Sequence, residues 1–289
     1  MSTEAEGRAA AERFREEQSL GVQPLGDLVA IIEQATGIDV AVLEADQDQH
    51  GMMMRDPQRD AVFIGVACTR HPMRQRSTLA HELGHVLFAD AEDGSAGAWS
   101  HRSAEEIRAD AFARHLLVPI GGLREFLGER GPLPQAELSE VVQRFLVSPK
   151  IAAIALCQAG YIDDAAKQEW LTLTTPRLAT RFGWSDQYRA LQDESARRRA
   201  PQRLLARAIS AYAEGVLSVQ AIATLRGIPR QEAEAELREA GVVPAEHPVA
   251  WAEPSDLPDA DVDLTALDEA LGEPDHDTGP SDVTASGNG

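Results

Sequence analysis

Two cysteines in 289 residues, Cys68 and Cys157, are too few for a disulfide framework and cannot build a four-cysteine metal site. No purely apolar run approaches the ~18 residues that a membrane-spanning helix requires. The opening stretch MSTEAEGRAAAERFREEQ is charged and has no apolar core of the kind found in secretory signals. A reducing cytoplasm is therefore the expected setting, with no membrane partner. Positive charge is also short: 27 Lys and Arg stand against 47 Asp and Glu, a formal net charge of −20. Twelve of those acids fall between Pro244 and Gly289, a stretch with no Lys or Arg, so the rest of the chain carries 27 basic against 35 acidic residues. Chain-wide attraction to nucleic acid or anionic lipid is not expected, because phosphate binding needs clustered cations. What remains is an ordinary globular composition, 43% hydrophobic and 26% charged, enough for a sizeable core. At roughly 150 residues per domain the length suits one large domain or two modest ones.

Residues 1–19 read as a polar N-terminal helix, clearest from about residue 8. Leu25, Leu28, Val29 and Ile32 then recur at helical spacing up to Gly37. Three segments rich in β-formers follow, at 38–43, 51–54 and 61–68. The turn chemistry of Asp56-Pro57-Gln58-Arg59-Asp60 joins the last two, which predicts a small antiparallel sheet. Pro72 suits the first turn of a helix running to about Asp90. After a loop at 93–97, another helix is expected from Ser103 to Leu117, stopped by Pro119. Gly128 to Pro134 marks the end of a first domain, 20–130. Residues 131–170 carry two short helices in helix-turn-helix style, 171–199 form an Arg-rich helical linker, and 200–243 form a second helical unit. The acidic tail, 244–289, is expected to be disordered.

The chemistry concentrates in His81-Glu82-Leu83-Gly84-His85. On a helix, residues four apart stand only ~40° apart around the axis, so the imidazoles of His81 and His85 can reach one ion. Leu79, Leu83, Val86 and Leu87 fall on the opposite side, where they would bury against the sheet. Glu82 lies beside the metal face, placed to take a proton from water. The longer pattern with a third histidine fails, since Phe88 and Ala91 occupy its Gly and His positions. A carboxylate on the second helix is therefore the expected third ligand, and Glu106 is the first candidate. Asp110, four residues on, is placed to accept the free N–H of a ligating histidine. Two other readings stay open: Ser103-Ala104-Glu105-Glu106 also fits a helix capping box, and Glu105, Asp90 and His101 are further ligand candidates. His71 and His115 read as ordinary polar positions, either of which could also assist an oxyanion.

These residues resemble a known family. The run Arg74-Gln75-Arg76-Ser77-Thr78-Leu79-Ala80 leading into HELGH, followed by Glu106-Ile107-Arg108-Ala109-Asp110-Ala111-Phe112-Ala113 and Leu116-Leu117-Val118-Pro119, is similar to the ImmA/IrrE metallo-endopeptidases. Pro24, Asp27-Leu28, Gly37-Ile38-Asp39-Val40 and Gly51 extend the likeness upstream, over about residues 20 to 120. The resemblance implies an α+β fold with a minimal, thermolysin-like zincin domain, Zn²⁺ on His81, His85 and Glu106, and Glu82 as catalytic base. It also implies a protein substrate, in several relatives a helix-turn-helix repressor whose cleavage releases genes of mobile elements or stress responses. Arg108 departs from the acidic or amide residue common in relatives, and Val118 replaces the commoner Met.

Two other classes compete with the peptidase. One is a DNA-binding regulator built on the helical units, but the final helix of the second unit carries Glu232, Glu234, Glu236 and Glu239 against Arg230 and Arg238, a face that phosphates repel. The other is a non-proteolytic regulatory module holding a structural or sensor zinc. The intact HELGH argues against a degenerate site.

Overall fold

The computed structural model describes residues 2–45, 51–56, 58, 61–90, 103–129 and 131–245. The loop expected at 93–97, His101, most of the turn at 56–60 and nearly all of the acidic tail lie outside them. Helix α1 (Thr3–Glu17) and helix α2 (Leu28–Thr36) precede three strands, β1 (Asp39–Leu43), β2 (Gly51–Asp56) and β3 (Ala61–Ala67). Helices α3 (Pro72–Phe88), α4 (Ala104–Leu117) and α5 (Ile120–Leu127) follow. Then come α6 (Gln135–Phe145), α7 (Pro149–Gln158), α8 (Asp164–Trp170), α9 (Thr175–Arg181) and α10 (Ser185–Ser195). The last three are α11 (Gln202–Ala213), α12 (Val219–Arg226) and α13 (Arg230–Glu239).

The sheet has the order β1-β3-β2 and is mixed. Strand β2 pairs antiparallel with β3 as a hairpin should, but β1 runs parallel to β3, with Val40 opposite Ile64 and Val42 opposite Val66. The expectation of a wholly antiparallel sheet is thereby corrected. The turn chemistry between β2 and β3 specifies that hairpin only, and nothing local dictates where β1 attaches. Strand β3, apolar almost end to end, suits the central position with a neighbour on each side. Val40, Val42, Ile64 and Val66 point to one face and are buried in the main core. The outer edge of β1 is sealed: Val42 and Arg199 exchange both backbone hydrogen bonds, at 2.9 and 3.0 Å. Among the described residues, β2 is the edge left without a strand partner.

Helix α1 is more than a polar segment. It starts at Thr3 under a Ser2 N-cap and buries Ala10, Ala11 and Phe14 against α4. Phe14 and Phe88 both meet the Phe112 ring edge-on, with centroids 6.2 Å apart. A Cβ on Gly7 would stand 2.4 Å from the Arg108 carbonyl oxygen, so the two helix backbones touch there. The buried Arg15 guanidinium donates to the carbonyls of Leu116, Gly21 and Gln23, and Arg76 on α3 donates to those of Leu25 and Gly26. Two arginines thus clamp the segment between α1 and α2 through charge-assisted hydrogen bonds to its carbonyls.

The N-terminal end of α1 is tied down by charge. Glu4 accepts from Arg114, from Gln158 at 2.9 Å and from the buried His115 at 3.4 Å. Burial holds the His115 imidazole below its ordinary value, helped by the Arg114 charge. Burial works to raise the Glu4 carboxyl, but its hydrogen bond and charge pairing with Arg114 outweigh this and hold it below the usual range. In both cases the unfolded chain takes up a proton at a higher pH than the folded one, so both contributions are lost on acidification. The loss begins as pH falls below about 6.5, the ordinary histidine value, and continues below about 4.5 as Glu4 protonates. Protection of α1 amides from hydrogen exchange is expected to drop first over the histidine range, and His115→Gln should flatten that first step. A pH-independent protection would refute this account.

One hydrophobic core runs from Ala10 to Tyr188 and so takes in α6 to α10 as well as the sheet and α1 to α5. A smaller cluster of Ala208, Val219, Ile222, Ala223, Ala233 and Leu237 holds α11 to α13 together. No helix among the described residues is long and apolar enough to cross a membrane.

Candidate metal centre

Helix α3 carries His81, Glu82 and His85, and its apolar stripe decides which way they face. Leu79 and Leu83 are fully buried and Val86 packs on the core. Leu87 does not join them and is 43% exposed, because it stands about 80° from Leu79 around the axis, at the rim of the stripe. Helix α4 crosses α3 closely at Gly84, where a Cβ would lie 3.2 Å from the Phe112 ring and 3.3 Å from the Ala109 Cα. The absence of a side chain at Gly84 lets Glu106 and Asp110 of α4 come level with the two histidines.

The result is a compact set of donor atoms. His81 Nε2 and His85 Nε2 lie 3.0 Å apart, and the two oxygens of Glu106 lie 3.3 Å from one nitrogen each. Among the described residues, His81, His85 and Glu106 are the group whose ligand atoms could share an ion. Two imidazole lone pairs and a carboxylate facing one another repel unless a cation or proton sits among them, so the donor set suits a divalent metal. The histidine side chains are 19% and 15% exposed and that of Glu106 51%, so the group opens to solvent on the α4 side.

Each histidine is held from behind. Asp110 Oδ1 lies 3.1 Å from His81 Nδ1, where sequence spacing places it. Asp90 Oδ2 lies 2.9 Å from His85 Nδ1, on the side of the ring away from Glu106. Sequence reasoning weighed Asp90 only as a ligand, and its placement depends on a backbone feature with no sequence signature: Ala89 adopts the left-handed conformation at φ 51°. That turn lets the Asp90 amide donate to the His85 carbonyl at 3.1 Å and returns its side chain to the histidine. The capping-box reading is also partly met, since the Glu106 amide donates to Ser103 Oγ at 3.3 Å. The amide caps the helix while the carboxylate points at the histidines. Glu105 is exposed and outside the cluster. His115 faces Glu4 on α1, and His71 caps the start of α3.

Glu82 is half-buried beside the histidines, and its carboxyl is pushed above the ordinary value by burial and by the Glu106 charge, against the lowering pull of His81 and His85. His81 is shifted up: burial opposes its charging, but the bond to Asp110 and the charges of Asp110, Glu82 and Glu106 prevail. Strand β2 begins against this group. A Cβ on Gly51 would stand 2.4 Å from Thr78 Cγ2 and 2.9 Å from Glu82 Oε1.

Comparison with known proteins finds a family-level likeness. Residues 33–157, from within α2 to near the end of α7, match the peptidase M78 family, described as the IrrE N-terminal-like domain. Over 110 residues the chain is 33% identical to the radiation response metalloprotease IrrE of Deinococcus radiodurans, covering 36% of this chain and 32% of that protein. The chain thus matches about a third of the length of that curated relative. A metallopeptidase family implies a divalent metal, and the residues able to hold one lie inside the matched range. Through residues 33–157 the chain is similar to the ImmA/IrrE family of metallopeptidases.

Proposed function

We propose that this protein is a zinc-dependent endopeptidase, with His81, His85 and Glu106 holding the ion and Glu82 acting as general base and acid. The observation that carries the reading is the convergence of two Nε2 atoms and one carboxylate within 3.0–3.3 Å, with both Nδ1 atoms engaged by aspartates. When bound, such an ion supplies a Lewis acid that polarises the scissile carbonyl and acidifies water. The remaining work falls to side chains. Asp110 accepts the Nδ1 proton of His81, which fixes the tautomer and leaves Nε2 as the donor. Glu82 takes a proton from water as its oxygen bonds to the carbonyl carbon, then delivers that proton to the departing amine nitrogen. Among the described residues the outer edge of β2 has no strand partner, so its backbone could pair with an extended substrate, and β2 starts beside Glu82.

Gly51 is the point where that edge meets the base. Gly51→Val is expected to displace the Glu82 carboxylate and lower turnover by up to about 10²-fold, the cost of a misplaced catalytic group. Metal content should be unchanged, and full activity in this variant would separate β2 from the reaction.

The proposed substrate is a helix-turn-helix transcriptional repressor, whose cleavage would relieve repression in a mobile-element or stress response. DNA binding by this chain is disfavoured. Arg226 is paired with Glu236 and Arg238 with Glu234, so these arginines of the last helical unit are neutralised within it. The test is to incubate the zinc-loaded chain with repressors encoded beside it and to sequence any fragments. Defined cleavage that stops on chelation supports the reading; intact repressors, or cleavage indifferent to chelation, overturn it.

A further inference from the structure

The two histidines are supported in different ways. His81 is backed by Asp110 from the facing helix. His85 is backed by Asp90, which follows its own helix and is itself gripped from α4. Arg108 donates to Asp90 Oδ1, while Asp90 Oδ2 faces His85 Nδ1 at 2.9 Å. The Arg108 guanidinium lies over the Phe88 ring, 4.2 Å from its centroid. Phe88 in turn meets Phe112 of α4 edge-on. The Asp90 side chain is only 11% exposed, so this carboxylate is paired and shielded rather than a solvated surface acid.

We propose that Asp90 and Arg108 are a positioning pair for His85, in which Arg108 locks Asp90 and Asp90 fixes the ring so that Nε2 faces Glu106. The inference rests on the metal-binding reading above and extends it to two residues that touch neither metal nor substrate. The geometry explains why the pair acts as a unit. Asp90 hangs from a left-handed turn at Ala89, a conformation that disfavours residues other than glycine. Arg108 gives that carboxylate a second contact besides His85, one on each oxygen. Arg108 also sits two residues after Glu106 on the same helix. The pair therefore links α3, which carries His85, to α4, which carries the carboxylate facing it. A long cation placed over Phe88 does this with two contacts at once, which a shorter or uncharged side chain could not make.

Zinc affinity, measured by competition with a chromophoric chelator, tests the pair without any need for a substrate. Asp90→Ala is expected to weaken zinc 10- to 100-fold, as loss of a partner behind a ligating histidine does. Asp90→Asn, whose amide oxygen still accepts from Nδ1, should recover most of that loss. Arg108→Leu should weaken zinc less than Asp90→Ala, and the double variant should bind no worse than Asp90→Ala alone, because the two residues act through one contact. In the Co²⁺-substituted protein the visible bands should shift in Asp90→Ala and return towards their original position in Asp90→Asn. Wild-type affinity and an unshifted spectrum in Asp90→Ala, or additive losses in the double variant, overturn the pairing. If Asp90→Ala fails to fold, Asp90→Asn and Arg108→Leu decide, with unaltered affinity and spectrum in Arg108→Leu overturning the proposal. His85→Ala in the same titration separates the two levels. Metal loss there with none in Asp90→Ala sinks the positioning pair alone, whereas unchanged binding in His85→Ala sinks the metal site itself.

Discussion

Replacing Glu82 with glutamine is expected to leave the bound metal in place and to slow peptide hydrolysis by roughly 10²- to 10⁴-fold. Glutamine keeps the shape of the side chain and can still hydrogen-bond, but it cannot take a proton from water. Glu82 is suited to that task by its surroundings. Burial, with Glu106 nearby, raises its carboxyl above the ordinary value and so makes it a stronger base, while His81 and His85 restrain the rise. Because its oxygens are not among the three converging donors, the change should not disturb the metal. Elemental analysis beside a cleavage assay separates the two effects. Retained cleavage with full metal would remove Glu82 from the chemistry.

His81→Ala carries the second large effect, loss of the metal itself. With one of three donors gone, the remaining imidazole and carboxylate form a two-point site, which does not hold a divalent ion against dialysis as three converging groups do. Glu106→Ala should behave similarly, since it removes the only charged member of the set. Zinc should also raise the thermal midpoint of the native chain, by mass action on the folded state, and fail to do so in either variant. Full zinc content after dialysis in both variants would move the site elsewhere.

Much of this arrangement is legible in the sequence because it rests on short-range rules. The 81/85 spacing, the Leu79 and Leu83 stripe, the Pro72 start and the Ser103 cap all act within one or two turns of helix, and α3 and α4 form where those signals put them. What is not legible depends on partners far along the chain. Strand β1 finds β3 rather than a hairpin neighbour. The Ala10, Ala11 and Phe14 stripe of α1 finds α4 about a hundred residues away. Arg199 pairs with Val42 on the outer edge of a strand that begins at residue 39. Asp90 shows a different limit. Its spacing from His85 suggests nothing, because only the left-handed turn at Ala89 brings the two together, and that conformation is unexpected at an alanine.

The Arg199 bridge to β1 also bears on how small a working piece of this chain can be. A fragment trimmed to 33–157 would strip the cover from the outer side of Val42 and leave a bare strand at each margin of the sheet, one of them beside Leu43. Such margins recruit further copies strand by strand. The same trimming would unroof Phe112 by deleting α1. A fragment that keeps both α1 with its cap and the Arg199 bridge must span at least Ser2 to Arg199, well outside the stretch that carries the family likeness.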